Sequence, residues 1–327
     1  MNFRTTFNIP VSPDKISYSD PVMFIGSCFS TFIGDKFSSG YMPVMVNPSG
    51  TLYNPASVAR TIERLLSQRH YELNDLNEYN GKWISFDHST AFSSENANEV
   101  LRSVNDSLEK AVGFISEARF LFITFGTARI FRLKETGQIV TNCHKLPSRY
   151  FTRQMMTVED IVVMWNSVLD LLKATYPSLK IVFTISPVRH WKDGAHGNQV
   201  SKSVLFLAVE DLLVHSVKPT YFPSYELVMD DLRDYRYYDD DMLHPSSRAI
   251  DYIWEKFSSV YFTGSTKEIW AEMDGISKAV LHRIKNGTAE EQKKFAETLI
   301  SKIDSAVKRI PSVDLSVERK YFLELLR

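Results

Sequence analysis

Cysteine is scarce in this sequence: Cys28 and Cys143 are the only two in 327 residues. One bridge in a chain of that size is no disulfide framework, so two free thiols are expected. Excess charge is missing too, with 38 lysines and arginines against 39 aspartates and glutamates, a formal net charge of -1. Without a basic surplus to hold a polyanion by counterion release, nucleic acid is excluded as a partner and a small or weakly charged substrate is expected. No run reaches the ~18 apolar residues of a membrane span, and residues 1–20 lack the apolar core of a secretory signal. The expectation is a cytoplasmic protein without a membrane partner. Low-complexity stretches and internal repeats are absent, which removes disordered and solenoid architectures.

What is present is an ordinary globular composition, 44% hydrophobic and 24% charged. The length suits one large α/β domain with an appendage. The run PVMFIG at 21–26 is apolar without alternation, as in a strand covered on both faces. After Ser27, the residues Phe29, Phe32, Ile33 and Phe37 recur at helical spacing up to the cluster Ser38-Ser39-Gly40. The alternation continues with a strand at 42–46 and a helix at 56–68. A polar helical stretch at 94–113 precedes a buried strand at 119–124. The segments IFRL and QIVTN then flank the turn Glu135-Thr136-Gly137 as a hairpin. A helix at 157–176, a strand at 180–186, a helix at 198–213, a short strand at 220–222 and a helix at 249–261 complete the pattern. Strands alternating with helices predict a parallel sheet with right-handed crossovers. From Gly264 onward the chain is charged and helix-rich, so residues 1–263 form the expected α/β domain and 264–327 a helical extension.

In an open parallel sheet the ligand site lies beyond the carboxyl ends of the strands. Ser27 stands there, where an apolar strand turns into a helix, a position that suits a nucleophile with an oxyanion site nearby. It suits a helix N-cap equally well. Asp241 lies three residues before His244, a spacing that lets a carboxylate hold an imidazole in one tautomer while the other ring nitrogen faces a hydroxyl. The bland alternative is a solvated acidic loop with His244 stacked on Tyr237 or Tyr238. Chain order favours chemistry, because the serine follows the first strand and the Asp-x-x-His the last.

These segments resemble the GSCFA family, a branch of the SGNH hydrolase superfamily. The motif GSCF is intact as Gly26-Ser27-Cys28-Phe29, with Ser30 where alanine is usual. Further strings of the same kind are NPSGTLYNP at 47–55, FGTARIF at 125–131, NCHKLP at 142–147, SPVRHWKDGAHGNQ at 186–199 and DDMLHPS at 240–246. The resemblance spans roughly 15–260. It implies a three-layer α/β/α flavodoxin-like fold and a serine hydrolase, an esterase or acyltransferase working through an acyl-serine intermediate. By the same analogy, Ser27 is the nucleophile, His244 the base, Asp241 its orienter, and Ser27 and Gly50 supply backbone N–H groups to an oxyanion hole. The third superfamily motif departs here: Gly126-Thr127-Ala128-Arg129 lacks its asparagine and aspartate, leaving Thr127, Asn142 or Asn198 as the side-chain donor. His144, Arg189, His190 and His196 are expected around the substrate, His144 and His196 there or in structural roles, while Arg129, Lys145, Arg189 and Lys192 give the cleft positive charge that suits a carboxylate or phosphate and equally suits ordinary surface salt bridges.

The expected reaction is removal or movement of an acyl group, such as an acetyl on a carbohydrate-like substrate. A non-catalytic ligand-binding module on the same fold is the alternative. Cys28 as nucleophile is the weaker choice, since the helix would turn it away from the direction of Ser27 and buried cysteine is the commoner fate. The histidines have no metal-ligand spacing, so neither metal nor cofactor is expected. In the tail, Ile269, Trp270, Met273, Ile276, Val280, Leu281 and Ile284 form an apolar stripe that needs cover. Packing on the core at the edge of the site is expected, and a homodimer is the other way to cover it.

Overall fold

The apolar runs become strands because each has helices on both of its faces. A computed structural model describes residues 4–281, 288–311 and 313–326, with the side chains of 281 and 289 left out. Five parallel strands form the central sheet: β1 (Val22–Gly26), β2 (Val44–Val46), β5 (Phe120–Phe125), β9 (Lys180–Ile185) and β10 (Thr220–Phe222). Their order is β2-β1-β5-β9-β10, the flavodoxin-like order. The chain reverses its direction of travel across the sheet between β1 and β5, and that switch point is where such folds place ligands.

Along β1 the two faces divide cleanly. Met23 and Ile25 join a core cluster with α2 (Pro55–Ser67), α3 (Ala97–Glu117), α4 (Val158–Thr175) and α5 (Gly194–Leu213). Val22 and Phe24 join the opposite cluster with α1 (Cys28–Ser39) and α7 (Ser247–Tyr261). Phe24, Phe37, Phe122, Phe257 and Tyr261 interlock there at centroid distances of 4.9–6.3 Å. Each fully buried ring contributes roughly 1.5–3 kcal/mol through the water it sheds.

Three antiparallel pieces decorate the rim. β3 (Asn77–Tyr79) and β4 (Lys82–Ile84) make a hairpin, and β6 (Arg129–Leu133) pairs with both β7 (Ile139–Val140) and β8 (Phe151–Met155). The hairpin at 135–137 is present; β3, β4 and β8 are additions that periodicity did not announce. β8 carries the sequence FTRQM with three exposed residues in a row, so no alternation marks it. The helical turn α6 (Ser224–Glu226) follows β10.

After residue 264 the described chain is helical: α8 (Gly264–Leu281), α9 (Ala289–Arg309) and α10 (Ser316–Glu324). Thr288 caps α9 through a reciprocal box with Glu291, two N-terminal donors satisfied at once. The stripe Ile269, Trp270, Met273, Ile276 and Val280 packs into the α1/α7 cluster, with Met273 and Ile276 buried. Trp270 Nε1 donates to Lys36 O at 2.7 Å at the far end of α1. The stripe is therefore covered by the core, but it does not wall the cleft: no described residue beyond His244 lines the cavity that holds Ser27 or the one that adjoins it. Ile284 and the side chain of Leu281 lie outside the described residues. No helix among the described residues is long and apolar enough to cross a membrane.

Candidate active site at the switch point

Gly26 ends β1 at φ +144°, and a Cβ there would sit 2.2 Å from Thr124 O on β5. Only glycine lets the two strands close up while the chain turns sharply. Ser27 follows as the N-cap of α1, its Oγ accepting the Phe29 N–H at 3.3 Å. Beside it, Gly126 after β5 is held against Ser27 and His190: a Cβ at Gly126 would lie 3.5 Å from Ser27 Cβ and 3.1 Å from His190 Nε2. The switch point thus brings Ser27 and His190 to one place.

A cavity of about 420 Å³ opens here, and Ser27, Cys28, Tyr53, Asn54, His190 and His244 are among its walls. Three hydrogen bonds hold the turn that carries His244. Asp239 N–H donates to His244 O at 2.8 Å, and Asp241 Oδ1 accepts the N–H groups of Leu243 and His244. Asp241 Oδ2 faces His244 Nδ1 at 2.5 Å. These donors and the imidazole pull the Asp241 carboxyl down to about 2, so it is ionised throughout the physiological range. The ring lines the cavity, and its Nε2 has no hydrogen-bond partner among the described residues. No hydrogen bond joins Ser27 Oγ to His244 among the described residues; the two share a cavity wall without touching.

The remaining expected residues divide. Arg189, His190 and Thr127 line the cavity. Thr127 Oγ1 is committed to Ser201 Oγ at 3.0 Å and to the Arg129 N–H. Asn198 is buried and accepts the His190 N–H at 2.9 Å, so it positions His190 rather than lining the cavity. Gly50 is not at the cavity, and its N–H donates to Asn47 O at 2.8 Å. The Ser27 N–H is likewise taken, by Thr124 O at 3.1 Å. Asn142 caps the turn at His144, whose buried ring bonds Ser85 O at 2.8 Å and serves the fold. His196 is exposed and lies away from the cavity, as does Lys145.

Two residues differ from expectation in the other direction. Cys28 is not turned away: it lines the same cavity as Ser27. Burial pushes its thiol up, which keeps it protonated and a poor nucleophile. Cys28 and Cys143 are both free. Asn54 is the residue that sequence reasoning missed. As the N-cap of α2 its Oδ1 accepts the Ser57 N–H at 2.8 Å. Only oxygen can accept that bond, so the amide orientation is fixed and Nδ2, at the cavity wall, has no partner among the described residues. The signal was the dipeptide Asn54-Pro55, an N-cap followed by proline at N1.

His190 is held neutral, down at about 4, by burial first and then by the charges of Lys202 and Arg153. Lys202 is fully buried beneath the site, its Nζ donating to Ser186 O at 2.6 Å. Desolvation lowers it to about 7. The folded chain therefore sheds this proton well before the unfolded one does, and stability gained at high pH is lost as pH falls from about 10 to 7. Relative to Lys202→Met, the native protein should gain on the order of 1 kcal/mol per pH unit in that window. Urea melts at intervals between these limits test this; parallel curves for the two proteins would remove Lys202 as the cause.

Among the described residues no group of three His, Cys, Asp or Glu side chains is placed to hold a metal ion. The GSCFA family profile matches residues 21–257, and that of the C-terminal domain of GSCFA domain proteins matches 273–327. The chain belongs to the GSCFA family. No curated protein matches this GSCFA chain. Among solved structures it is similar to a carbohydrate esterase family 3 protein from Talaromyces cellulolyticus, at 8% identity and a TM-score of 0.35, covering 73% of this chain and 94% of that one. It is also similar to the acetyl xylan esterase Est2A from the rumen bacterium Butyrivibrio proteoclasticus, at 13% identity and a TM-score of 0.29, covering 75% and 66%.

Proposed function

We propose that this GSCFA protein is an esterase or acyltransferase that works through an acyl-serine intermediate on Ser27. The observation that carries the reading is the shared cavity: Ser27 from the end of β1 and His244, held by Asp241 beyond β10, line one space at the switch point. In this mechanism His244 Nε2 takes the proton of Ser27 Oγ as the hydroxyl attacks an ester carbonyl. It then returns that proton to the leaving alcohol, and a water or second alcohol repeats the cycle to free the acyl group. Asp241 holds the imidazole in the tautomer that leaves Nε2 basic. The oxyanion is met by Asn54 Nδ2 and by the Cys28 N–H, the first of α1 and without an intrahelical acceptor.

A second cavity of about 500 Å³ adjoins the first through Arg189, Trp191 and Leu243, and is lined by the exposed Trp191 and Tyr235 and the half-buried Tyr238. Flat aromatic faces of this kind suit the C–H faces of a sugar ring, in keeping with an acylated carbohydrate as substrate. The bond between Ser27 Oγ and the Phe29 N–H favours the other reading, a binding module in which the serine is a helix cap. Ester hydrolysis separates the two. With p-nitrophenyl acetate the native protein should turn over, and Ser27→Ala should lose about 10³-fold or more in kcat. Equal rates for the two proteins would leave only the binding module.

A further inference from the structure

The wall of the catalytic cavity has four cations, Arg129, Arg153, Arg189 and Lys192, and no carboxylate. The chain as a whole carries a formal net charge of -1, so this local excess is not a reflection of a basic protein. Behind the wall, the fully buried carboxylate of Asp193 pairs with Arg153 and lies 3.4 Å from Arg129 Nε. One negative charge thus braces two guanidinium groups, orienting both and neutralising one. Arg189 has no carboxylate partner: its plane lies over Trp191 at 5.3 Å, and its Nε is buried without a hydrogen bond among the described residues. Lys192 is exposed on the same rim and has no ion-pair partner among the described residues. A buried unpaired N–H costs free energy that an acceptor brought by a ligand would recover. Guanidinium forks braced in advance match an oxyacid, and crowding them without a counter-ion raises the energy of the empty site.

We infer that Arg129, Arg153, Arg189 and Lys192 form an anion subsite, and that the preferred ester carries a carboxylate or phosphate beside the scissile bond. The selectivity rests on the ester-cleaving reading proposed above; the anion site itself does not. His190, whose Nε2 reaches Gly126 beside Ser27, spans the gap between the cations and the serine. The anion would therefore anchor the part of the substrate that lies nearest the reacting carbonyl.

Two measurements test this on the full-length protein. Calorimetric titration with succinate and, separately, with inorganic phosphate at low ionic strength should give saturable binding that weakens with added salt. Arg189→Gln combined with Lys192→Gln should weaken it by about tenfold or more, while Lys192→Arg retains it. Binding of one of the two probes alone identifies carboxylate or phosphate as the group selected. In parallel, kcat/KM for mono-p-nitrophenyl succinate should exceed that for p-nitrophenyl acetate by about tenfold or more, and the double variant should bring the ratio close to parity. If neither probe binds, or if binding is indifferent to the double variant, the anion subsite is wrong even where Ser27-dependent hydrolysis of the acetate persists. If the probes bind and the variants weaken them while no ester is cleaved, the subsite stands and the esterase reading falls.

Discussion

Replacing His244 with alanine is expected to lower kcat for p-nitrophenyl acetate by about 10³-fold or more, since Ser27 then has no base to take its proton. Asp241→Asn should cost about 10²–10⁴-fold with the fold intact, because an amide can donate to Nδ1 and stabilise the wrong tautomer. The two losses should not add: His244→Ala with Asp241→Asn should be no slower than His244→Ala alone, the behaviour of groups that act as one unit. Asp241 is already ionised at about 2, so the acid limb of a pH–rate profile should stay in place when Asp241 keeps its charge as glutamate. If His244→Ala retains native turnover, the Asp241–His244 pair is a structural feature of its loop. Attention would then pass to His190, which lines the same cavity and whose Nε2 would lie 3.1 Å from a Cβ at Gly126.

Gly26→Ala is expected to destabilise the protein by on the order of 4 kcal/mol. The new methyl would lie 2.2 Å from Thr124 O at a backbone angle of +144°, combining a clash against rigid backbone with a conformation that side chains disfavour. A fall in Tm of roughly 10 °C follows for a chain of this size. Activity should fall with it, since Ser27 is the next residue and its N–H is tied to Thr124 O. Thermal melts of the two proteins decide the matter; a native Tm in the variant would mean that β1 and β5 can part at no cost.

Much of the sheet was legible because its strands are buried on both faces. PVMFIG, RFLFIT and KIVFTIS have no polar alternation, and each becomes a strand within a residue or so of the expected limits. The edge strands β3, β4 and β8 were not legible: β3 and β4 are three residues each and partly polar, and β8 is polar and stabilised by β6, a partner distant in sequence, rather than by its own pattern. At the site, the spacing of Asp241 and His244 conveyed their contact because three residues suffice to fold a turn. The donors proposed here for the oxyanion were not legible by analogy. The string NPSGTLYNP was read for Gly50, whereas the group at the cavity is Asn54 at its other end. Asn142 shares a loop with a cavity residue and His196 lies in the first turn of α5, yet the path of the backbone and not the local sequence decides which side chain faces inward.

The C-terminal helices cover α1, and that cover arrives late. Phe29, Ile33 and Phe37 share one cluster with Met273, Ile276, Leu299, Ile303 and Phe322. A ribosome adding about 5–20 residues per second needs on the order of ten seconds to a minute between α1 and α10. Until α8 emerges, the apolar back of the helix that presents Ser27 has β1, β2, β5 and the late-made α7 to shelter it, but not Met273, Ile276, Leu299, Ile303 or Phe322. Nascent chains stalled before α8 should therefore recruit holdase chaperones, and chains released after α10 should not.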